Sequence, residues 1–309
     1  MTNVTAAQTL VRTGIAMDTL ISIEVQGRAT SAGIQEKVGR ALGWFAETER
    51  ICSRFDPGSE LCRLSATTGF DVPVSQLLFA ALSYALAVAR ASGGAFDPTV
   101  GRQMVRRGFA TNFRLGADPG LSADVVAGTS FEDVVLLPES RSVHLLKPLT
   151  LDLGAVAKGL AIDLAAFELA EVGSFAVFAG GDLRVRGHNS EGEPWSIGLR
   201  HAQLAGEIDG TIRTTDAAVC ASGADERRAP ADQQGHHIID PATGQSPEAV
   251  AAVTVVAPTA LVADALATAA FVLGPGAGLR FLEEQAVEGR IVTDSLTRYE
   301  TRGFRGLVR

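Results

Sequence analysis

Asp152 and Lys158 stand close together in the run Thr150-Leu-Asp-Leu-Gly-Ala-Val-Ala-Lys-Gly159. An apolar strand pattern delivers Asp152, small residues turn the chain, and Lys158 falls on the first turn of the helix that follows. Gly154 and Ala155 let a ligand approach the backbone, and a helix start with a nearby lysine attracts anions. An ordinary strand–turn–helix with an exposed lysine has the same pattern. In Leu261-Val-Ala-Asp264-Ala-Leu-Ala-Thr268 the two oxygen-bearing side chains are four residues apart, so they project from one helix face. A carboxylate and a hydroxyl beside phosphate oxygens suit Mg2+, which takes hard oxygen ligands. A solvated acid and a threonine bonded back to its own helix would read identically.

Gly235-His236-His237-Ile-Ile-Asp240-Pro-Ala-Thr-Gly244 reads as a short strand entering an Asp-Pro…Gly turn. A histidine here can serve as general base on a hydroxyl, because its pKa lies near neutrality. Adjacent strand residues face opposite ways, so at most one imidazole enters a shared pocket. Zinc is disfavoured, since neither a cysteine pair nor a third histidine lies at useful spacing. Gly93-Gly-Ala-Phe-Asp-Pro-Thr-Val-Gly101 is a glycine-rich connection that can bring backbone close to a planar ligand. Arg54-Phe-Asp-Pro-Gly-Ser-Glu-Leu61 and Phe178-Ala-Gly-Gly-Asp182 are of the same kind.

The elements that must hold these residues follow from periodicity. Thr19–Val25 alternates as a half-buried strand, and Ile34, Val38, Ala41, Leu42 and Phe45 mark an amphipathic helix from Ser31 to about Arg50. A second helix spans Ser75–Ser92 and stops at Gly93-Gly94. Arg102–Ser130 reads as a long connection. Strands are expected at Asp133–Leu137, Val143–Leu146, Leu149–Leu153, Phe175–Ala179, Ala251–Ala257 and Arg290–Thr293, with helices at Val156–Glu171 and Leu261–Leu273. Several strands lie too close together for helical crossovers, which favours an α+β fold over a doubly wound sheet.

The chain has 309 residues, 46% of them hydrophobic, and a formal net charge of -8. That is enough to bury a large core, and the acidic balance argues against a nucleic-acid surface. Three cysteines, Cys52, Cys62 and Cys220, do not make a disulfide framework, although spacing alone leaves a Cys52–Cys62 bridge open. Met1–Gln8 shows no secretory signal, and the apolar stretch Leu77–Ala91 is too short to span a bilayer. A cytoplasmic protein without a transmembrane segment is expected for the chain as given, and a removed leader would leave the same picture. No phosphate-loop or dinucleotide fingerprint appears.

Taken in order, Met17-Asp-Thr19, Ser53-Arg-Phe55-Asp-Pro57…Ser59-Glu-Leu61, Gly94-Ala-Phe96-Asp-Pro98, Asp152-Leu-Gly…Lys158-Gly159, Gly180-Gly-Asp182, His237-Ile-Ile-Asp-Pro241…Thr243-Gly244 and Ala263-Asp264…Thr268 resemble the ApbE family of FAD:protein FMN transferases. The resemblance covers about Ile15 to Gly274. It implies a T-fold-like α+β domain, a mixed, largely antiparallel sheet with packed helices, over residues 15–309 behind an N-terminal extension of residues 1–14.

It further implies FAD as substrate and Mg2+ as cofactor. Met17, Phe55, Ala95, Phe96, Asp97, Asp152, Lys158 and Ile238 would contact FAD, with Phe55 where an aromatic commonly stacks. The Ala155 carbonyl, Asp264 and Thr268 would bind the metal, and His237 matches the histidine implicated in transfer. The implied partner is an acceptor flavoprotein whose Ser or Thr hydroxyl receives FMN through a phosphoester, with AMP released. FAD hydrolysis to FMN and AMP, or FAD binding without catalysis, uses much the same contacts. Asp18 stands where the family often has glycine. Ala224, followed by Asp225-Glu-Arg-Arg228, stands where it usually carries an aromatic near the acceptor entrance.

Overall fold

A computed structural model describes residues 8–27, 32–111, 128–204, 206–226 and 235–308. Strands β1 (Gln8–Ala16) and β2 (Thr19–Gly27) form a hairpin, followed by α1 (Ala32–Cys52), α2 (Glu60–Ser65), β3 (Asp71–Pro73), α3 (Gln76–Ala91) and α4 (Gly101–Arg106). Then come β4 (Val134–Leu137), β5 (Ser142–Leu145), α5 (Gly154–Glu168), β6 (Phe175–Ala179), β7 (Asp182–Arg186), β8 (Trp195–Arg200), β9 (Ile208–Thr214) and β10 (Asp216–Gly223). The chain closes with β11 (Val250–Ala257), α6 (Ala260–Glu284), β12 (Glu288–Thr293), β13 (Arg298–Glu300) and α7 (Phe304–Leu307).

The main sheet has eight strands in the order β1-β2-β6-β7-β10-β11-β12-β13, every neighbouring pair antiparallel. The fold is α+β. Alternation in β2 sends Ile21, Ile23 and Val25 into the core, where they are almost fully buried. Helices α1, α3, α5 and α6 pack against that face and against one another. On the other face a smaller cluster joins Val185 and Ala217 to Trp195 and Ile197 of β8, Ile212 of β9, and Phe304.

Helix starts follow capping chemistry. Ser75 accepts from the Leu78 amide at 3.2 Å, and Thr259 from the Val262 amide at 3.4 Å. Helix α6 runs past the expected Leu273, but Gly274 (φ 77) and Pro275 break its geometry there. By length and composition α6 could cross a membrane; its Ala263, Ala267, Ala270 and Phe271 are, however, fully buried in the core.

The structure corrects several expectations. The boundary at residue 15 falls inside β1, so residues 8–14 are an edge strand of the main sheet. Leu149–Leu153 forms no strand, because its backbone makes a single parallel bridge, Thr150 to Val100. The His236–Ile239 backbone is also no continuous strand, with isolated bridge positions at His236 and at Asp240, the latter paired with Gln245. The cysteines need no correction: the Cys52–Cys62 bridge that spacing left open does not form, both are free thiols, and burial raises the pKa of both, Cys52 to about 12. Within Arg102–Ser130, α4 covers the start and residues 112–127 lie outside the described residues, as do Arg227 and Arg228.

Candidate active site

A cavity of about 510 Å3 opens between helices α5 and α6 and the loops that precede α4, α5 and β11. All twelve residues singled out from the sequence line it: Met17, Phe55, Ala95, Phe96, Asp97, Asp152, Ala155, Lys158, His237, Ile238, Asp264 and Thr268. They come from six separate segments, and each segment reaches the cavity for its own local reason.

Met17 and Asp18 are the two central residues of the β1–β2 hairpin, between the paired Ala16 and Thr19. Both have positive φ, 52° and 62°, the signature of a type I′ turn that matches strand twist. A glycine is the easy choice at the second position, which explains why Asp18 departs from the pattern without changing the turn. After α1, the chain turns through Ser53–Ser59, with the Ser59 hydroxyl donating to the Ser53 carbonyl at 2.6 Å. Arg54, 5% exposed, donates to Asp152 at 2.6 Å and to the Phe109 carbonyl at 2.7 Å, and its guanidinium lies 4.1 Å from the Phe55 ring centre. The arginine thus holds the Phe55 ring and the Asp152 carboxylate in one unit.

The glycine-rich connection is equally fixed. Gly93 (φ 63) and Gly94 (φ 86) end α3, and the Ser92 hydroxyl accepts from the Phe96 amide at 3.0 Å. Asp97 accepts from the Thr99 amide and hydroxyl at 2.8 and 2.7 Å, and from the Phe131 amide at 3.0 Å. Burial raises its pKa, against the pull of these donors. At Gly101 a Cβ would sit 2.5 Å from the Thr150 carbonyl oxygen, so only glycine permits this loop to pass the segment that delivers Asp152.

Asp264 is 4% exposed on α6. It accepts from the Gly159 amide at 3.1 Å, a donor that an unbroken helix would direct at the Ala155 carbonyl. Ala155 itself has non-helical dihedrals (φ -93, ψ 16). Thr268, one turn on, shares a hydrogen bond with Ser222 at 3.2 Å. A carboxylate, a hydroxyl and a backbone carbonyl at the irregular first turn of α5 are a hard-oxygen set that fits Mg2+ rather than a softer metal. Among the described residues no three His, Cys, Asp or Glu side chains gather into a metal-binding group.

The cavity floor is charged. Lys158 pairs with Asp182 and also faces Asp264 and Glu226. Burial works against its ammonium, yet these carboxylates outweigh it and raise the lysine pKa. Burial lifts Asp264 to about 7 despite the lysine.

The two histidines separate as adjacent residues should. His237 lines the cavity, whereas His236 is 6% exposed and turns inward, its ring edge-on to Phe271 at 5.2 Å. The Ile238 amide donates to His236 Nδ1 at 3.3 Å, so Nε2 carries the proton and donates to the Pro247 carbonyl at 3.0 Å. Burial lowers the His236 pKa. Arg107 of α4's C-terminus donates to Gln245 at 2.6 Å and pins the same loop.

Sequence reasoning missed Met104 and Phe109, which line the cavity from the region read as a connection, and gave no role to Arg54 or Glu226. The buried charge of Arg54 had a signal in its place within a turn motif. Glu226 had none, because it follows β10 and only the fold brings the end of that strand near Lys158.

A family model described as the ApbE family matches residues 17–291. The FAD:protein FMN transferase of Haemophilus influenzae is 30% identical over 271 residues, covering 83% of this chain and 77% of its own. The crystal structure of the ApbE protein from Thermotoga maritima superposes with a TM-score of 0.87 at 26% identity, covering 98% of this chain and 100% of that one. The flavin transferase ApbE from Vibrio cholerae gives 0.84 at 25% identity, covering 97% and 99%.

Proposed function

The chain belongs to the ApbE family and is a flavin transferase, and we propose that it moves the FMN half of FAD onto a Ser or Thr hydroxyl of an acceptor protein in a Mg2+-dependent reaction. The observation that carries this reading is the convergence of the twelve residues on one cavity, apolar and aromatic at Met17, Phe55 and Phe96, and charged at Lys158 and Asp264.

In this reading Phe55, held by Arg54, and Phe96 sandwich or flank the isoalloxazine, and the amides around Ala95 meet its polar edge. Lys158 and the start of α5 receive the pyrophosphate. Asp264, Thr268 and the Ala155 carbonyl would hold the Mg2+, whose chemistry when bound is to neutralise the pyrophosphate and the charge on departing AMP. His237 accepts the proton of the acceptor hydroxyl as its oxygen bonds to the FMN-side phosphorus. The bond from that phosphorus to the bridging oxygen breaks, and its electron pair leaves with AMP. The products are a phosphoester-linked FMN on the acceptor, AMP and the proton held at His237.

The test is to incubate the protein with FAD, Mg2+ and a candidate acceptor, following AMP by chromatography and acceptor mass by spectrometry. A metal-dependent mass gain of one FMN with equimolar AMP is the expected result. AMP and free FMN with unlabelled acceptors throughout would instead make water the acceptor, and intact FAD under every condition would remove both enzymatic readings.

A further inference from the structure

The Gly180-Gly181-Asp182 motif lines no part of the cavity, yet its aspartate is fully buried beside the charged floor. Ala179 and Asp182 pair across the β6–β7 hairpin, so the two glycines are its loop. Gly180 has φ 65, and a Cβ there would meet the Thr19 hydroxyl at 2.8 Å. The tight turn therefore fixes Asp182 at the first position of β7, directly under Lys158. One of its carboxylate oxygens pairs with the Lys158 ammonium, and the other accepts from the Ala221 amide at 2.9 Å.

We propose that Asp182 is a positioning residue: its carboxylate holds the Lys158 ammonium off Asp264, which keeps the Asp264 oxygens free for a divalent cation. This rests on the metal reading given under Proposed function. The physical reason is that an ammonium withdrawn from water takes a counter-charge. Lys158 immediately precedes Gly159, whose amide already touches Asp264, and of the two other carboxylates that face the lysine Asp264 acts on it more strongly than Glu226, so Asp264 is the one it turns to when Asp182 is lost. A cation would then have to displace an ammonium from a buried carboxylate. The second oxygen acts on the other ligand: by fixing Ala221 it fixes the neighbouring Ser222, whose hydroxyl meets Thr268. Asp182 thus braces both side chains of the hard-oxygen set without touching the cation.

The experiment is calorimetric titration of Mg2+ into the FAD-free full chain, for wild type, Asp182→Asn and the double variant Lys158→Met/Asp182→Asn. Asp182→Asn is expected to bind Mg2+ at least about tenfold more weakly, the usual scale for a residue that orients metal ligands. The double variant has no ammonium to compete and is expected to return to within about threefold of wild type. A merely structural aspartate predicts that single and double variants are equally impaired, and that result overturns the proposal, as does an Asp182→Asn affinity equal to wild type. If the single variant does not fold, the double decides alone: near-wild-type affinity supports the proposal, and a loss beyond about tenfold overturns it. Wild type that takes up no Mg2+ overturns the metal reading and this inference with it, whereas unimpaired Asp182→Asn beside a binding wild type overturns the positioning role alone.

Discussion

The two ends of the cavity are built on different principles. The charged end sits on regular elements: Lys158 on α5, Asp182 on β7, Ser222 on β10, Asp264 and Thr268 on α6. The apolar end is made of connections, namely the Met17-Asp18 turn, the Ser53–Ser59 turn and the Gly93–Gly101 loop. Buried charges need partners at fixed distance, and helices and strands locked into a core supply that fixity. A flat ring needs surfaces and close backbone approach, which glycine turns supply. The loops are nevertheless firm, because Arg54, Asp97 and Ser92 spend their polar atoms on backbone partners. Shape at one end and charge balance at the other predict different responses to mutation.

The largest expected effect is on the loop before β11, which lines the same cavity and belongs to neither end. His237→Ala should lower the transfer rate by about 10²–10⁴-fold while leaving FAD affinity nearly intact, the mark of a group needed for proton transfer. Single-turnover rates beside equilibrium FAD titration separate the two, and an equal loss in both would make His237 a binding residue. Next comes the strut between the ends. Arg54→Met leaves Asp152 buried without its cation and should cost about 3–5 kcal/mol of folding stability, read by denaturant unfolding; a loss under about 1 kcal/mol would make the pair dispensable.

Metal and pH then link the charged end to stability. Asp264 has its folded pKa raised to about 7 from an ordinary 3.8, so without metal its contribution is best in acid and declines as pH rises through about 7. Mg2+ should offset the buried charge, and the Tm gain on adding Mg2+ should therefore widen from pH 5 to pH 8. A gain that is flat over this range, or equally pH-dependent in Asp264→Asn, would remove Asp264 from the metal site.

The apolar end should respond more gently. Phe55→Ala should weaken FAD binding by about tenfold, roughly 1.4 kcal/mol, with the transfer rate from saturated enzyme little changed; a rate loss larger than the affinity loss would blur the division between the ends. The smallest effect is at the hairpin. Asp18→Gly should stabilise the protein by up to about 1 kcal/mol, since the residue is held at positive φ. Destabilisation would mean that the Asp18 carboxylate contributes more than its backbone costs.

Much of the site was legible because each of its segments carries a local signature. Asp264 and Thr268 are one turn apart on any helix, and two adjacent histidines must diverge whether or not their backbone is a strand. The strands β7 to β10 were not anticipated, since their alternation is short and interrupted by glycines and charges. Leu149–Leu153 has the apolar run of a strand, but the Pro98 carbonyl and the Gly101 amide take its hydrogen bonds before a neighbour can pair with it. The helix expected over Leu261–Leu273 runs on through Gly274-Pro275, where the chain kinks and continues.

By itself, the sequence determined the family, the fold class and the residues that meet in the cavity, because motif order, periodicity and turn chemistry are local properties. Only the tertiary structure decided how the charges are shared. Asp152 belongs with Arg54, Lys158 with Asp182, and Asp264 with the amide of Gly159, across separations of 98, 24 and 105 residues. Such pairings depend on which elements become neighbours in the sheet and helix layer, and on how little water remains between them; no local pattern encodes either.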